Sequence, residues 1–260
     1  SSSATSGTFT VMEGHRYAFR SIAKDRAGNV EASAAGNDTW TIVDILAPTT
    51  TTSPAGTSGS NGWYRSAVTV TLFSSDATSG VASIFYRIDA GPWQTYTAPA
   101  LLSSDGVHTV EYYAEDVAGN QEFAQSRNVW IDTVAPTTSP NLAGTAGSGG
   151  WYLSSVVVTL TASDATSGVS SISYRIDGGA WQTYTTPFMM SGEGPHDVEY
   201  YATDEAGLVE ATRTTSVNVD TVRPLGTAGS PRGSNAIAMP VITITFSEPM
   251  DRTAVEAAFS

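Results

Sequence analysis

Carboxylates are the side chains of this sequence best suited to chemistry, because Asp and Glu number 25 against 12 Lys and Arg. Hard cations such as calcium bind several oxygens from carboxylates and backbone carbonyls, and acidic turns supply both. The alternative is that each Asp accepts hydrogen bonds from backbone N–H groups of its own turn, as in Asx turns. No EF-hand spacing favours calcium, and no other cofactor is indicated. The candidate calcium ligands are Asp76, Asp116, Glu122, Asp132, Asp164, Asp204, Glu210 and Asp220.

Histidine is the next residue type to consider, because it is the commonest general base. His108 and His196 each open a segment that ends in an Asp-x-Ala-Gly turn, at the place that Tyr17 holds before the similar turn at 25–29. This position predicts a structural, corner-closing role. No Gly-x-Ser-x-Gly elbow is present, and the glycine-rich stretches lack the lysine and helix of a phosphate-binding loop. We therefore predict no catalytic residue and no enzyme activity.

Aromatic residues suggest a surface for binding. Trp93 and Trp181 could stack on sugars, although an indole after a glycine-containing turn more often covers the edge or core of a sandwich. Tyr113 and Tyr201 alternate away from inward-facing neighbours, so they are candidates for a contact surface between modules or subunits.

The elements that position these residues belong to an internal repeat. Residues 47–134 align with residues 135–222 at a shift of 88 without a gap, and well over half of the positions are identical. Apolar residues alternate with polar ones, as in Val68, Val70 and Leu72, and turn residues separate these runs. About seven strands fit each repeat. The sequence thus predicts an all-β fold of tandem immunoglobulin-like β-sandwiches.

Several motifs carry a resemblance to known families. The repeats contain Ser75-Asp-Ala-Thr-Ser-Gly80, Tyr86-Arg-Ile-Asp89, an Asp-x-Ala-Gly-Asn turn ending at Asn120, and Asp132-Thr-Val-Ala-Pro136. They resemble the bacterial Ig-like repeats of large secreted hydrolases and cell-surface proteins. The second copy departs at Leu208, where the first has Asn120, which puts a turn-specific or ligand role of that asparagine in doubt.

The two ends of the chain resemble other modules. Residues 1–46 are similar to the last strands of a fibronectin type III domain, with Tyr17 as its corner tyrosine. Residues 223–260 resemble the opening of the Ig-like domain of bacterial surface-layer proteins. The expected domains are therefore 1–46, 47–134 and 135–222, followed by the start of a further module at 223–260. The N-terminus lacks the features of a signal peptide, and Asn37-Asp-Thr39 forms a weak glycosylation sequon.

The composition of the chain argues against several classes of function. A net charge of −13 repels phosphate backbones, no apolar run is long enough to span a bilayer, and no cysteine is present. The resemblance implies extracellular or cell-surface structural or interaction modules, as in a filament, sheath, surface layer or adhesin. The alternative is a set of spacer or accessory carbohydrate-binding modules of a secreted multidomain hydrolase. Expected partners are neighbouring modules, copies of the chain or cell-surface polysaccharide, and the short Asp132–Pro136 linker is expected to limit bending.

Overall fold

The computed structural model describes residues 8–20, 22–32, 39–230, 243–247 and 250. Within these ranges all regular elements are β-strands, which confirms the predicted all-β fold. No helix formed by the described residues has the length and apolarity to cross a membrane. The chain divides into two compact units: unit 1 comprises 1–136, 164–170 and 203–209, and unit 2 comprises 137–163, 171–202 and 210–260.

A first set of eight strands lies in unit 1 and forms two sheets. The strands are β3 (Thr49–Ala55), β4 (Trp63–Tyr64), β5 (Val68–Ser75), β6 (Val81–Ile88), β7 (Gln94–Thr95), β8 (Ala100–Leu102), β9 (Gly106–Asp116) and β10 (Gln125–Ile131). The strand orders of the two sheets are β3-β5-β8 and β4-β10-β9-β6-β7. All the pairings are antiparallel except that of β4 with β10, which is parallel.

The core of this sandwich lies between the two sheets, because alternate residues of each strand point inward. Val68 and Val70 of β5, Val110 of β9 and Ile131 of β10 are completely buried. Burying one such side chain stabilises the fold by roughly 1.5–3 kcal/mol. The period-two pattern of the sequence therefore matches the observed alternation.

A second set of eight strands repeats this arrangement 88 residues later. The strands are β11 (Thr137–Ala143), β12 (Trp151–Tyr152), β13 (Val156–Ser163), β14 (Val169–Ile176), β15 (Gln182–Thr183), β16 (Phe188–Met190), β17 (Gly194–Asp204) and β18 (Arg213–Val219). Their sheets have the orders β11-β13-β16 and β12-β18-β17-β14-β15, equivalent to those of the first set. The fully buried core of this set consists of Val156, Val158, Val198, Val217 and Val219.

Strand β3 consists of a polar, threonine-rich stretch. It pairs with β5 along seven residues, and Thr50 is 3% exposed. Threonine is β-branched and favours strands, which outweighs the polarity of the stretch.

Two short hairpins lie at the ends of the chain. β1 (Arg16–Phe19) pairs with β2 (Thr39–Ile42), and β19 (Gly226–Ser230) pairs with β20 (Thr243–Phe246), both antiparallel. The Tyr17 hydroxyl accepts a hydrogen bond from the backbone N–H of Met12 at 2.9 Å, the contact expected of a corner tyrosine. Asn37 and Asp38 of the sequon, and most of 223–260, lie outside the described residues. The domain boundaries stay predictions.

Candidate functional site

Two groups of three aspartates stand out, and both lie in unit 1. The first acid cluster consists of Asp44, Asp76 and Asp116, and the second consists of Asp132, Asp164 and Asp204. In each group every residue offers one carboxylate oxygen, and these oxygens lie within 4.8 Å of one another. Asp116, Asp132 and Asp204 are buried, and the others are half-buried.

The ends of strands position these acids. In the first acid cluster, Asp44 follows β2, Asp76 follows β5, and Asp116 ends β9. In the second, Asp132 follows β10, Asp164 follows β13, and Asp204 ends β17. Each cluster therefore joins one acid from a linker, one from an Asp-Ala-Thr-Ser-Gly loop and one from an Asp-x-Ala-Gly turn.

Protein donors satisfy the first acid cluster almost completely. Asp76 Oδ1 accepts hydrogen bonds from the backbone N–H groups of Thr78, Ser79 and Gly80. Asp116 accepts from the backbone N–H of Asn120 at Oδ1 and from its side-chain amide at Oδ2, both at 2.8 Å. The Asn120 amide also donates to the Asp44 carbonyl oxygen at 3.2 Å.

Linker acid Asp44 is held from two directions. Its Oδ2 accepts from Ser79 N–H at 2.9 Å and its Oδ1 from Leu46 N–H at 3.2 Å. Hydrogen bonding by Ser79 is the main cause that holds the pKa of Asp44 below its ordinary value. The Asx-turn interpretation of the sequence therefore describes this cluster well.

The second acid cluster keeps most of these backbone contacts but lacks a side-chain amide equivalent to that of Asn120. Asp164 Oδ1 accepts from Thr166 and Gly168 N–H, and Asp132 Oδ2 accepts from Ser167 N–H at 3.0 Å. Asp204 Oδ1 accepts from the backbone N–H of Leu208 at 2.8 Å. Leucine has no amide to offer, so Asp204 Oδ2 is buried without a hydrogen-bond partner among the described residues.

This missing donor changes the electrostatics of Asp204, which is 2% exposed. Burial raises the pKa of its carboxyl group, and the charges of Asp132 and Asp164 raise that pKa further, although the Leu208 backbone hydrogen bond lowers it. The second acid cluster thus brings three carboxylates together in surroundings that destabilise their negative charges.

Five of the eight candidate calcium ligands therefore lie in the two clusters: Asp76, Asp116, Asp132, Asp164 and Asp204. The structure adds Asp44, which the sequence reasoning missed. The signal was present, because Asp44 lies 88 residues before Asp132, outside the segment used to define the repeat. Asp220, a further 88 residues on, belongs to neither cluster, and its Oδ1 accepts from Val222 N–H at 3.2 Å.

Glu122 and Glu210 are also absent from both clusters and lie buried beneath the first strand of each set. Glu122 Oε2 accepts from the Thr50 hydroxyl at 2.9 Å, but Oε1 has no partner within the described ranges. Burial raises the pKa of Glu122 above its ordinary value. Glu210 instead accepts from Thr138 N–H at 3.0 Å and forms an ion pair with Arg213 at 2.6 Å.

The histidines form a constellation that the sequence did not reveal. His108 Nδ1 lies 2.7 Å from Asp89 Oδ2, and its Nε2 lies 3.1 Å from the Ser104 hydroxyl, as in a Ser-His-Asp triad. However, Nε2 also lies 3.0 Å from the Ser104 carbonyl oxygen, which can only accept a hydrogen bond. A proton on Nε2 satisfies this carbonyl oxygen, whereas a neutral Nε2 would point its lone pair at it, so the geometry favours a charged imidazole over a general base.

The negative charge of Asp89 supports a charged form of His108. Burial lowers the pKa of His108, but the hydrogen bonds with Asp89 and the Ser104 carbonyl and the Asp89 charge outweigh it, so the pKa is raised. The Asp89 pKa is lowered, chiefly by its bond to His108. In the second copy His196 contacts Asp177 at 2.8 Å and the Gly192 carbonyl oxygen at 3.1 Å, with no serine. The pair is thus a latch that fastens a turn to the start of a long strand.

The aromatic residues form a ladder on the outer face of each larger sheet. Trp93 meets Tyr113 edge to face at 4.7 Å, and the Arg87 guanidinium lies 4.6 Å from the Trp93 ring. The second copy repeats both contacts, with Trp181 beside Tyr201 and Arg175 over Trp181. Trp93 remains 36% exposed. The tyrosines proposed as a contact surface are therefore half-buried beside the indoles.

Comparisons with known proteins add little beyond the fold. No protein-family model and no curated protein sequence matches the chain. Similar solved structures include the fibronectin(III)-like modules of Clostridium thermocellum CbhA, with 14% identity and a TM-score of 0.32, covering 66% of this chain and 94% of that one. The D00-D0 domain of intimin has 14% identity and a TM-score of 0.32, and the match covers 65% of this chain and 97% of that one.

A third solved structure comes from a 1.5-MDa bacterial ice-binding adhesin, with 17% identity and a TM-score of 0.31, covering 76% of this chain and 73% of that one. At such identities and TM-scores these three structures carry no inference about function, and the β-sandwich architecture rests on the strand pairing of the chain itself.

Proposed function

We propose that this chain consists of non-catalytic β-sandwich modules of a larger secreted or cell-surface protein, with a structural or interaction role as in a filament, sheath, surface layer or adhesin. One observation carries the proposal. The histidines of the repeats make the same structural contact at positions 88 residues apart, in the pairs His108–Asp89 and His196–Asp177. Groups placed identically in two copies serve the scaffold that the copies share.

The single arrangement that resembles catalytic machinery supports the same proposal. Ser104 beside His108 becomes Gly192 beside His196, so the second copy keeps the latch without a nucleophile. When His108 is charged, its imidazole also lacks the lone pair that a general base needs. The resemblance to bacterial Ig-like repeats supports the extracellular part of the proposal.

Activity assays of the purified 260-residue chain test the absence of catalysis. Chromogenic ester, peptide and polysaccharide substrates should give no turnover above the buffer rate. Turnover that the parent shows and the His108→Ala variant has lost, while His196→Ala keeps it, would contradict the proposal. The matched histidine controls for any effect of the substitution on folding.

Accessory carbohydrate binding is the second candidate, because Trp93 and Trp181 stay 36% and 38% exposed at equivalent positions. Sedimentation with insoluble polysaccharides separates the two candidates. The structural role predicts that the chain stays in the supernatant, since an arginine covers one face of each indole. Retention that is lost in the Trp93→Ala/Trp181→Ala variant but kept in Trp63→Ala would favour the carbohydrate-binding role.

A further inference from the structure

We propose that the second acid cluster, Asp132, Asp164 and Asp204, is a binding site for a divalent cation of the calcium type. The inference goes beyond the proposed structural role and does not depend on it. Its starting point is geometry: the three carboxylate oxygens lie within 4.8 Å of one another. Two oxygens bound to one calcium ion at about 2.4 Å are at most about 4.8 Å apart, so all three pairs of oxygens meet the separation that a shared ion requires.

The cluster lacks a counter-charge. Asp132 is 0% exposed and Asp204 2% exposed, and none of the ion pairs formed by the described residues includes an acid of this cluster. Buried carboxylates are costly unless they are paired, protonated or bound to a metal. A bound cation would supply the positive charge that the chain does not.

An independent observation points to a ligand at this place. Asp204 Oδ2 is buried and has no hydrogen-bond partner in the part of the chain that the structure describes. Buried polar atoms are nearly always satisfied, so an orphan of this kind calls for a missing partner. Asp204 Oδ1 is already occupied by Leu208 N–H, which leaves Oδ2 for that partner.

The first acid cluster is a natural control. There the Asn120 amide donates to Asp116 Oδ2 at 2.8 Å, so both oxygens of the buried aspartate have protein partners. At the equivalent position Leu208 has no side-chain amide, so Asp204 Oδ2 has no donor among the described residues. We assign no cation site to the first acid cluster, because its donor occupies the place that the ion would take in the second.

The ligand set favours calcium over magnesium. Calcium accepts six to eight oxygens in irregular geometry, whereas magnesium demands near-ideal octahedral geometry and keeps several waters. Three carboxylates held in place by backbone N–H groups suit the irregular geometry of calcium better than the regular octahedron of magnesium. A bound ion would tie the linker acid Asp132 to the 164–168 loop and the 204–208 turn.

Calorimetric titration of the full, metal-free chain tests the proposal with calcium chloride as the probe. We expect one site with a dissociation constant on the order of 10⁻⁴–10⁻³ M, the range of extracellular calcium modules. Magnesium should bind at least roughly tenfold more weakly. No calcium binding up to about ten times this constant would overturn the proposal.

Matched variants locate the site. Asp204→Asn should abolish binding, whereas Asp116→Asn, the same change in the first acid cluster, should leave it unaltered. Leu208→Asn keeps all three carboxylates but offers an amide to Asp204 Oδ2, so it should weaken binding roughly tenfold or more. This variant controls for misfolding of Asp204→Asn. Binding lost in Asp116→Asn but kept in Asp204→Asn, or unaffected by Leu208→Asn, would overturn the assignment.

Discussion

The Asp-x-Ala-Gly turns of the two sandwiches are built alike and differ at the residue that closes them. In the first turn, Asn120 completes the hydrogen bonding of a buried aspartate through its own side chain. In the second, Leu208 provides the backbone N–H but no amide, and Asp204 keeps a bare oxygen. The turn at Asp25 resembles the first of these turns, because the Asn29 side-chain amide donates a hydrogen bond to the Asp25 carboxylate at 2.7 Å. A scaffold can therefore stay constant while one side chain decides whether an acid is satisfied internally.

A second difference runs the other way. Glu210 of the second sandwich has Arg213 three residues later as its ion-pair partner. In the first sandwich the residue three positions after Glu122 is Gln125, which carries no charge. Burial raises the pKa of Glu122. Each copy thus has one buried acid with complete partners and one without. The two copies therefore share their core packing but differ in which buried acid lacks a partner.

The largest expected effect comes from making the first turn like the second. Asn120→Leu removes the amide from Asp116 Oδ2 and leaves a buried acceptor unsatisfied, which costs about 1–3 kcal/mol. Urea unfolding in the presence of a chelator measures this loss. The control is Asn29→Leu at the exposed turn, which should cost much less. Equal losses in the two variants would break the comparison.

The next effect concerns the buried glutamates. Arg213→Gln removes the cation from Glu210 but leaves its backbone donors, so we expect a loss of about 1–2 kcal/mol at neutral pH. The converse change, Gln125→Arg, should stabilise the first sandwich by about 0.5–1 kcal/mol. Urea unfolding checks both.

The pH dependence of Gln125→Arg sharpens this test. The folded pKa of Glu122 is raised, so its contribution is complete below the unfolded pKa and is lost as pH rises through the folded value. An arginine at position 125 should reduce that loss between acidic and neutral pH. A parent and variant with parallel pH profiles would contradict the role given to the missing cation.

A smaller effect, below about 1 kcal/mol because Asp89 is half exposed, comes from the histidine latch. The His108 pKa is raised, so its stabilisation is complete below about pH 6.5 and is lost as pH rises through the folded pKa. The lowered Asp89 pKa removes the contribution again in acid. Asp89→Asn keeps a residue that tolerates the positive φ of 51° and should lose this pH-dependent part.

The equivalent contact of the second sandwich, His196 with Asp177, serves as the control for the His108–Asp89 pair. Unfolding of parent and Asp89→Asn should differ more at pH 5.5 than at pH 8.5, and Asp177→Asn should behave alike because the His196 pKa is also raised, chiefly by the Asp177 hydrogen bond. A difference that does not change with pH would refute the charged latch.

The smallest effect is expected for Ser104→Ala. Its second-copy counterpart is Gly192, so the hydroxyl is dispensable and stability should change by less than about 0.5 kcal/mol. Differential scanning calorimetry checks this. A substantial drop in melting temperature would show that the serine has a role the second copy lacks.

The sequence predicted the fold well because alternation and turn residues are local signals. Val68 and Val70, or Val110 and Tyr112, reveal their inward face from spacing alone. The acid clusters were partly predictable, since their Asp residues recur with the repeat, but joining Asp44 to Asp76 and Asp116 needs the sheet topology. The triad-like contact of Ser104, His108 and Asp89 and the pairing of Arg213 with Glu210 also depend on side-chain placement that no spacing rule encodes.

The central claim is that position 208 decides whether Asp204 is satisfied by protein or by a cation. The most direct test compares the melting temperatures of the parent and the Leu208→Asn variant, each in chelator and in excess calcium. The account predicts that the variant melts higher in chelator, because its amide partners Asp204, and that calcium raises the melting temperature of the parent more than that of the variant. A variant that is no more stable than the parent in chelator, with equal calcium shifts for both, would contradict it.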